Sequence, residues 1–268
     1  MAGKPYIIRV SSQKGGVGKS TFAISFADAL RTLGNRVLLV DADFINPSLG
    51  TYLGMEDVNI GFREVTLGKA DIRKAIIPHA ATGLHVLPGT IDPSEFRPTG
   101  RQVENVSKLL KEMSYDFIII DTQPGVMNSD ALRPEFYSEI IIVTTPELVS
   151  TISAVKLSKL CERQKLKNNL VLNRCRNKSY EISEEEIEEM YENKALGSLP
   201  EDDSVPVSIA QHIPAFSYHQ ASRFSRGIAN IARVYSGRSG VLLGTIPKVR
   251  AGLIERISEA IKDLLGMQ

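Results

Sequence analysis

Cysteine is scarce in this 268-residue chain: Cys161 and Cys175 are the only two, and they do not stand in a Cys-x-x-Cys spacing. Two thiols cannot complete a four-ligand metal site within one chain, so they read as buried or incidental thiols in a reducing compartment. An excess of either charge is also missing, with 32 Lys and Arg against 31 Asp and Glu and a net charge of +1. A protein that binds polyanions over its whole surface would be more basic. No apolar run approaches the ~20 residues needed to span a bilayer. The opening Met-Ala-Gly-Lys carries no apolar signal region, and no internal repeat is evident. These absences predict a cytoplasmic protein. The length allows one large α/β domain or two smaller ones.

What the chain does have is alternation. Strand-like apolar runs fall at 6–11, 36–41, 84–87, 116–121, 139–144, 169–173 and 195–199. Helix-like segments fall at 20–33, 101–113, 148–164, 184–191, 205–211 and 220–235. The runs Phe117-Ile118-Ile119-Ile120 and Ile140-Ile141-Ile142-Val143 are apolar throughout. Continuous runs of this kind suit a mainly parallel sheet covered on both faces by helices. The pattern predicts a doubly wound α/β fold with its ligand at the carboxyl ends of the strands. Segment 182–193 sets Glu184, Glu185, Glu186, Glu188 and Glu189 against an apolar face of Ile182, Ile187 and Met190, and reads as a solvated helix face. Ser236-Gly237-Arg238-Ser239-Gly240 reads as a flexible link. The expected organisation is one domain over 1–236, a linker over 237–247 and an amphipathic helix over 248–268.

Chemistry concentrates in three segments. The string Lys14-Gly15-Gly16-Val17-Gly18-Lys19-Ser20-Thr21 lies between the first strand and the first helix. In that setting glycines let backbone N–H groups curl around phosphates, and the helix N-terminus adds partial positive charge. Lys19 is then expected on the β- and γ-phosphates and the Ser20 hydroxyl on Mg²⁺. Lys14 is the departure from a generic loop of this kind, which has no lysine there. The second segment, Val40-Asp41-Ala42-Asp43, ends a strand and offers two acids that can reach Mg²⁺ and an attacking water. The third, Ile120-Asp121-Thr122-Gln123-Pro124-Gly125, also ends a strand. Asp121 can hold Mg²⁺ through water, and the Gly125 N–H is placed to sense a γ-phosphate.

With these segments in this order, the chain resembles the deviant Walker A ATPases of the MinD/ParA family, over roughly residues 4–235. The wider class contains the nitrogenase iron protein. The resemblance also rests on Val143-Thr144-Thr145-Pro146-Glu147, Leu172-Asn173-Arg174 and Leu199-Pro200-Glu201-Asp202; the Thr-Pro-Glu, Asn-Arg and Pro-Glu-Asp segments favour its MinD-like members. It implies ATP or ADP with Mg²⁺ and a homodimer formed on ATP binding. By the same resemblance Lys14 is the signature lysine that reaches the partner subunit's phosphates. Thr21 meets the α-phosphate, and Gly15, Gly16, Val17 and Gly18 complete the cradle. Asp43 orients the hydrolytic water, with Asp41 beside the metal, and Ser20, Asp43 and Asp121 form the metal set. Asn173, Arg174 and the loop Pro200, Glu201, Asp202 are the adenine side, so ATP is preferred over GTP. Gln13, Gln123 and Phe44-Ile45-Asn46-Pro47-Ser48 depart from the family's common sequence. These departures bear on turnover and switch geometry rather than on nucleotide binding. So few direct catalytic groups imply a slow ATPase acting as a switch.

The tail bears on which kind of switch this is. Leu253, Ile254, Ile257, Ile261, Leu264 and Leu265 form one apolar stripe, and the opposite face mixes Glu255, Arg256, Glu259, Lys262 and Asp263. In MinD-like proteins a carboxy-terminal amphipathic helix binds an anionic membrane surface once dimerisation doubles its valency. That implies peripheral membrane localisation in the ATP state, with an unidentified activating or cargo protein. Docking on the protein's own domain or a partner helix, and short coiled-coil self-association, are the alternatives for this segment. For the whole protein the runner-up is a ParA-like DNA-associated ATPase using Arg223, Arg226 and Arg233. Behind it come an electron-transfer or metal-delivery protein, which would need Cys161 and Cys175 bridged across a dimer, and a scaffold that never hydrolyses ATP.

Overall fold

The computed structural model describes residues 4–55, 58–90, 96–125 and 135–237. Their elements run β1 (Tyr6–Ser11), α1 (Lys19–Thr32), β2 (Val37–Ala42), α2 (Leu49–Tyr52), α3 (Phe62–Thr66), α4 (Ile72–Ala75), β3 (Ile77–Pro78), β4 (His85–Leu87), α5 (Gly100–Lys111) and β5 (Phe117–Thr122). They continue with β6 (Glu139–Thr144), α6 (Leu148–Arg163), β7 (Asn168–Cys175), α7 (Glu184–Tyr191), β8 (Gly197–Pro200), α8 (Ser204–Ala210), α9 (Ala215–Tyr218) and α10 (Arg223–Tyr235). Every strand and helix expected between residues 6 and 235 is present, to within three residues at each end. The short helices α2, α3, α4 and α9 and the two-residue β3 were not expected, because four or five residues are too few to display a helical period. Helix α10 begins at Arg223 rather than 220 because the Ser222 hydroxyl caps it, accepting the Ser225 N–H at 3.1 Å. The linker over 237–247 and the helix over 248–268 lie outside the described residues, apart from Gly237.

The strands form one sheet in the order β3-β4-β2-β5-β1-β6-β7-β8. All neighbours are parallel except β3 and β4. Successive residues of the central strands serve opposite faces. Ile8, Leu39, Ile119 and Ile141 pack with Phe22 and Phe26 of α1 and with Phe224 and Ile228 of α10. Ile7, Leu38, Ile118 and Ile120 pack with Phe62 of α3 and Val106 and Leu110 of α5. Ile140 and Ile142 pack with Leu157 of α6 and Ile187 of α7. Both faces of the sheet are therefore buried, which is why its strands read as unbroken apolar runs. On the acid-rich α7, Ile187 and Tyr191 are buried, and the Glu186 side chain closes a capping box with Ser183.

The topology fixes where a ligand can sit. After β1 the chain moves toward β2, and after β5 it moves the other way, toward β6. Right-handed crossovers in opposite directions put their connections on opposite faces. A crevice therefore opens at the carboxyl ends of the neighbouring strands β1 and β5. Register then brings the acids together: Asp121 of β5 is the Cα partner of Asp41 on β2 and of Val10 on β1.

Candidate functional site

The loop between β1 and α1 occupies that crevice. Gly16 and Gly18 have φ values of 79° and 84°, a region that favours glycine. Gly18 is also the N-cap of α1, and no side chain caps the helix there. Its first-turn N–H groups are thus left to a ligand, as anion binding at a helix start requires. A Cβ on Gly18 would lie 2.3 Å from Asn173 Nδ2, so close approach as well as φ demands glycine.

Lys19 is almost fully buried, at 7% exposure, against an Asp121 that has none. Its Nζ lies 2.5 Å from Asp121 Oδ1 and 3.4 Å from Ser20 Oγ. Burial pushes the Asp121 carboxyl up; the Lys19 charge is the largest opposing influence, and Asp43 adds to the rise. Asp121 Oδ2 is buried with no hydrogen-bond partner among the described residues. Asp41 is pushed up to about 7, first by burial and then by the charge of Asp121. Asp41, Asp43 and Asp121 thus lie close enough to act on one another's ionisation. Among the described residues only Asp121 is shown paired with the lysine, and its buried Oδ2 is unpaired. A divalent cation would relieve both conditions, so this donor set fits Mg²⁺ with Ser20, Asp43 and Asp121 around it. Mg²⁺ held there would neutralise phosphate charge during transfer.

Both oxygens of Asp41 serve the loop that follows β2. Oδ1 accepts the Asp43 N–H at 3.2 Å, and Oδ2 accepts the Ser48 and Leu49 N–H groups at 2.9 Å each. Asp43 Oδ1 accepts from Ile45 and Asn46, turning the loop tightly after the strand. Phe44 stacks on Phe62 with ring centroids 5.5 Å apart and meets Phe96 edge-on. Ser48, which the sequence reading did not single out, places its hydroxyl 3.2 Å from that of Ser20.

The other expected residues surround this centre. Gly125 donates its N–H to the Ser12 carbonyl at 3.0 Å, so a phosphate there would have to take over that bond. Lys14 lies on the rim, its Nζ 3.0 Å from Glu147 Oε2 at the start of α6. Thr21 follows Ser20 in the first turn of α1. Asn173, buried near the end of β7, donates from Nδ2 to the Val17 carbonyl at 2.8 Å. Arg174, at φ 58°, reaches the Gly16 carbonyl at 3.0 Å and pairs with Glu201, which also binds Arg176. Asp202 is committed to Ser204 and to the Phe224 N–H, while Pro200 closes β8. The adenine-side residues Asn173 and Arg174 therefore touch the phosphate loop directly. Glu147 and Arg176 were not among the expected site residues, and their roles come from pairing across the fold.

Both thiols are free, Cys161 buried and Cys175 partly buried. Burial pushes Cys161 up to about 12 and Cys175 up to about 11. Among the described residues no group of three or more His, Cys, Asp or Glu side chains could hold a metal ion. Also among them, no helix is long and apolar enough to cross a membrane.

Comparison with known proteins agrees with this geometry. Residues 4–235 match the ParA family model described as NUBPL iron-transfer P-loop NTPase. The septum site-determining protein MinD of Synechocystis is 31% identical over 245 residues, covering 87% of this chain and 90% of that protein. An uncharacterised ATP-binding protein of Methanocaldococcus jannaschii is 31% identical over 86% of this chain and 88% of its own length. The cell division ATPase MinD of Pyrococcus furiosus superposes with a TM-score of 0.79 at 29% identity, over 89% of this chain and all of that one. MinD of Pyrococcus horikoshii, solved with Mg-ADP, gives 0.78 at 28% identity over 88% of this chain and all of that one. The glycine loop, its buried lysine–aspartate pair and these relatives agree: the chain belongs to the ParA family of P-loop NTPases, among its MinD-like members.

Proposed function

We propose that this protein is an ATP-dependent dimerising switch of the MinD type. It hydrolyses ATP slowly to ADP and phosphate with Mg²⁺, and positions a division site or another large assembly through reversible membrane association. The observation that carries the reading is the Lys19–Asp121–Ser20 centre beneath an uncapped helix start, with a second lysine, Lys14, on its rim. Lys19 holds the phosphates and Asp43 orients the attacking water. Lys14 leaves Glu147 to reach the nucleotide of a second copy, so the site is complete only in the dimer. Two tails on one dimer then bind a membrane that one tail holds weakly.

Co-sedimentation with anionic liposomes tests this, comparing the full chain with a truncation after Arg238, in ATP and in ADP. Pelleting in ATP alone, abolished by truncation, is expected. Absence of pelleting in both states would refute the membrane anchor and favour the ParA-like reading. Arg223 and Arg226 are exposed on α10, and salt-sensitive DNA retention would be measured next.

A further inference from the structure

Ser48 has no role in the reading above, yet its hydroxyl makes a hydrogen-bond contact between loop 43–49 and the start of α1. We propose that Ser48 Oγ is a second protein ligand of the divalent cation, next to Ser20 Oγ in the coordination shell. The proposal rests on the assignment of Ser20 to a Mg²⁺ site.

Three observations support it. Mg²⁺ takes oxygen ligands octahedrally at about 2.0–2.1 Å, so neighbouring ligands lie about 2.8–3.0 Å apart. The Ser20 and Ser48 oxygens are 3.2 Å apart, within a few tenths of an ångström of that edge. The Ser48 backbone is also anchored: its own N–H and that of the fully buried Leu49 are both held by Asp41 Oδ2 at 2.9 Å. The hydroxyl therefore starts from a fixed position. Finally, the unpaired Asp121 Oδ2 beside the Lys19–Ser20 contact supplies the negative environment that a cation needs. A hydroxyl is a hard, neutral donor, suited to Mg²⁺ and able to complete a shell without adding charge to three crowded carboxylates. Cation binding through Ser48 would also tie loop 43–49, which carries Asp43, to the state of the phosphate loop.

Metal binding by the full-length protein with ADP tests the proposal. Free Mn²⁺ is read by electron paramagnetic resonance, and ADP affinity in EDTA serves as the control for folding. Ser48→Ala is expected to weaken Mn²⁺ binding about tenfold or more, with ADP affinity in EDTA unchanged. Ser48→Thr is expected to restore binding. Ser48→Cys is expected to exchange a preference for Mg²⁺ for one for Cd²⁺, because a thiolate is a soft ligand. Wild-type Mn²⁺ affinity in Ser48→Ala with impaired binding in Ser20→Ala would overturn the proposal and reduce Ser48 to a contact between loops. Loss in Ser48→Ala without a Cd²⁺ preference in Ser48→Cys would overturn direct ligation. Unimpaired binding in Ser20→Ala as well would overturn the Mg²⁺ assignment itself.

Discussion

Glu147→Gln removes one charge and almost no volume, and it should strengthen ATP-dependent dimerisation. In the protomer Lys14 Nζ is 3.0 Å from Glu147 Oε2, with the two side chains 49% and 46% exposed. An ion pair this open is worth about 0.2–1 kcal/mol, because water screens it and two long side chains must be ordered. If Lys14 has to leave Glu147 to reach the opposing nucleotide, each protomer gives up one such pair on dimerisation. Two pairs amount to about 0.4–2 kcal/mol, or a dimer constant about 2- to 30-fold tighter in the variant. Sedimentation velocity with a non-hydrolysable ATP analogue, at low and high salt, measures this. The gain should shrink as salt rises, since the Debye length falls from about 10 Å at 0.1 M to about 3 Å at 1 M. A dimer constant unchanged at low salt would show that Glu147 does not restrain Lys14. A weaker dimer would show that Glu147 serves the assembled state instead, and would refute the reasoning.

Lys19→Ala should abolish ATP binding, measured with a fluorescent analogue, and should also destabilise the fold. The variant leaves Asp121 buried without its partner, which typically costs about 3–5 kcal/mol in urea unfolding; Lys19→Ala with Asp121→Asn should recover much of that. Full stability in the single variant would show that the 2.5 Å contact carries no structural weight. Both cysteines should resist alkylation in the folded protein at pH 8. A thiol raised to about 11, as at Cys175, is about one part in a thousand thiolate there, against about a quarter for an ordinary thiol at about 8.5. Reactivity should rise about tenfold per pH unit until the protein unfolds. Rapid labelling at pH 8 would contradict the burial and reopen thiol-based metal chemistry.

Much of the site was legible because it is local. The glycine loop needs only consecutive residues, and Gly18 is required there by its own φ, whereas the close approach of Asn173 to it is a tertiary contact. Asp43 and Asp121 could be named as candidates because each lies at the end of an apolar strand, and strand ends are where such a fold places its chemistry. Asp41 shows the limit. Read as a second acid of the site, it is engaged through both oxygens by loop N–H groups, a pattern set by how the chain turns after β2. Ser48 was invisible because nothing in Phe44-Ile45-Asn46-Pro47-Ser48 announces which of its residues turns toward α1.

By itself the sequence determined the alternation of strands and helices, the phosphate loop and the candidate acids, since these follow from periodicity, burial and backbone freedom over short stretches. Only the tertiary structure decided which groups meet. Ser20 and Ser48 are 28 residues apart, Lys14 and Glu147 are 133 apart, and Val17 and Asn173 are 156 apart. These contacts depend on strand order and register, which the packing of helices on both faces of the sheet fixes and no local pattern encodes.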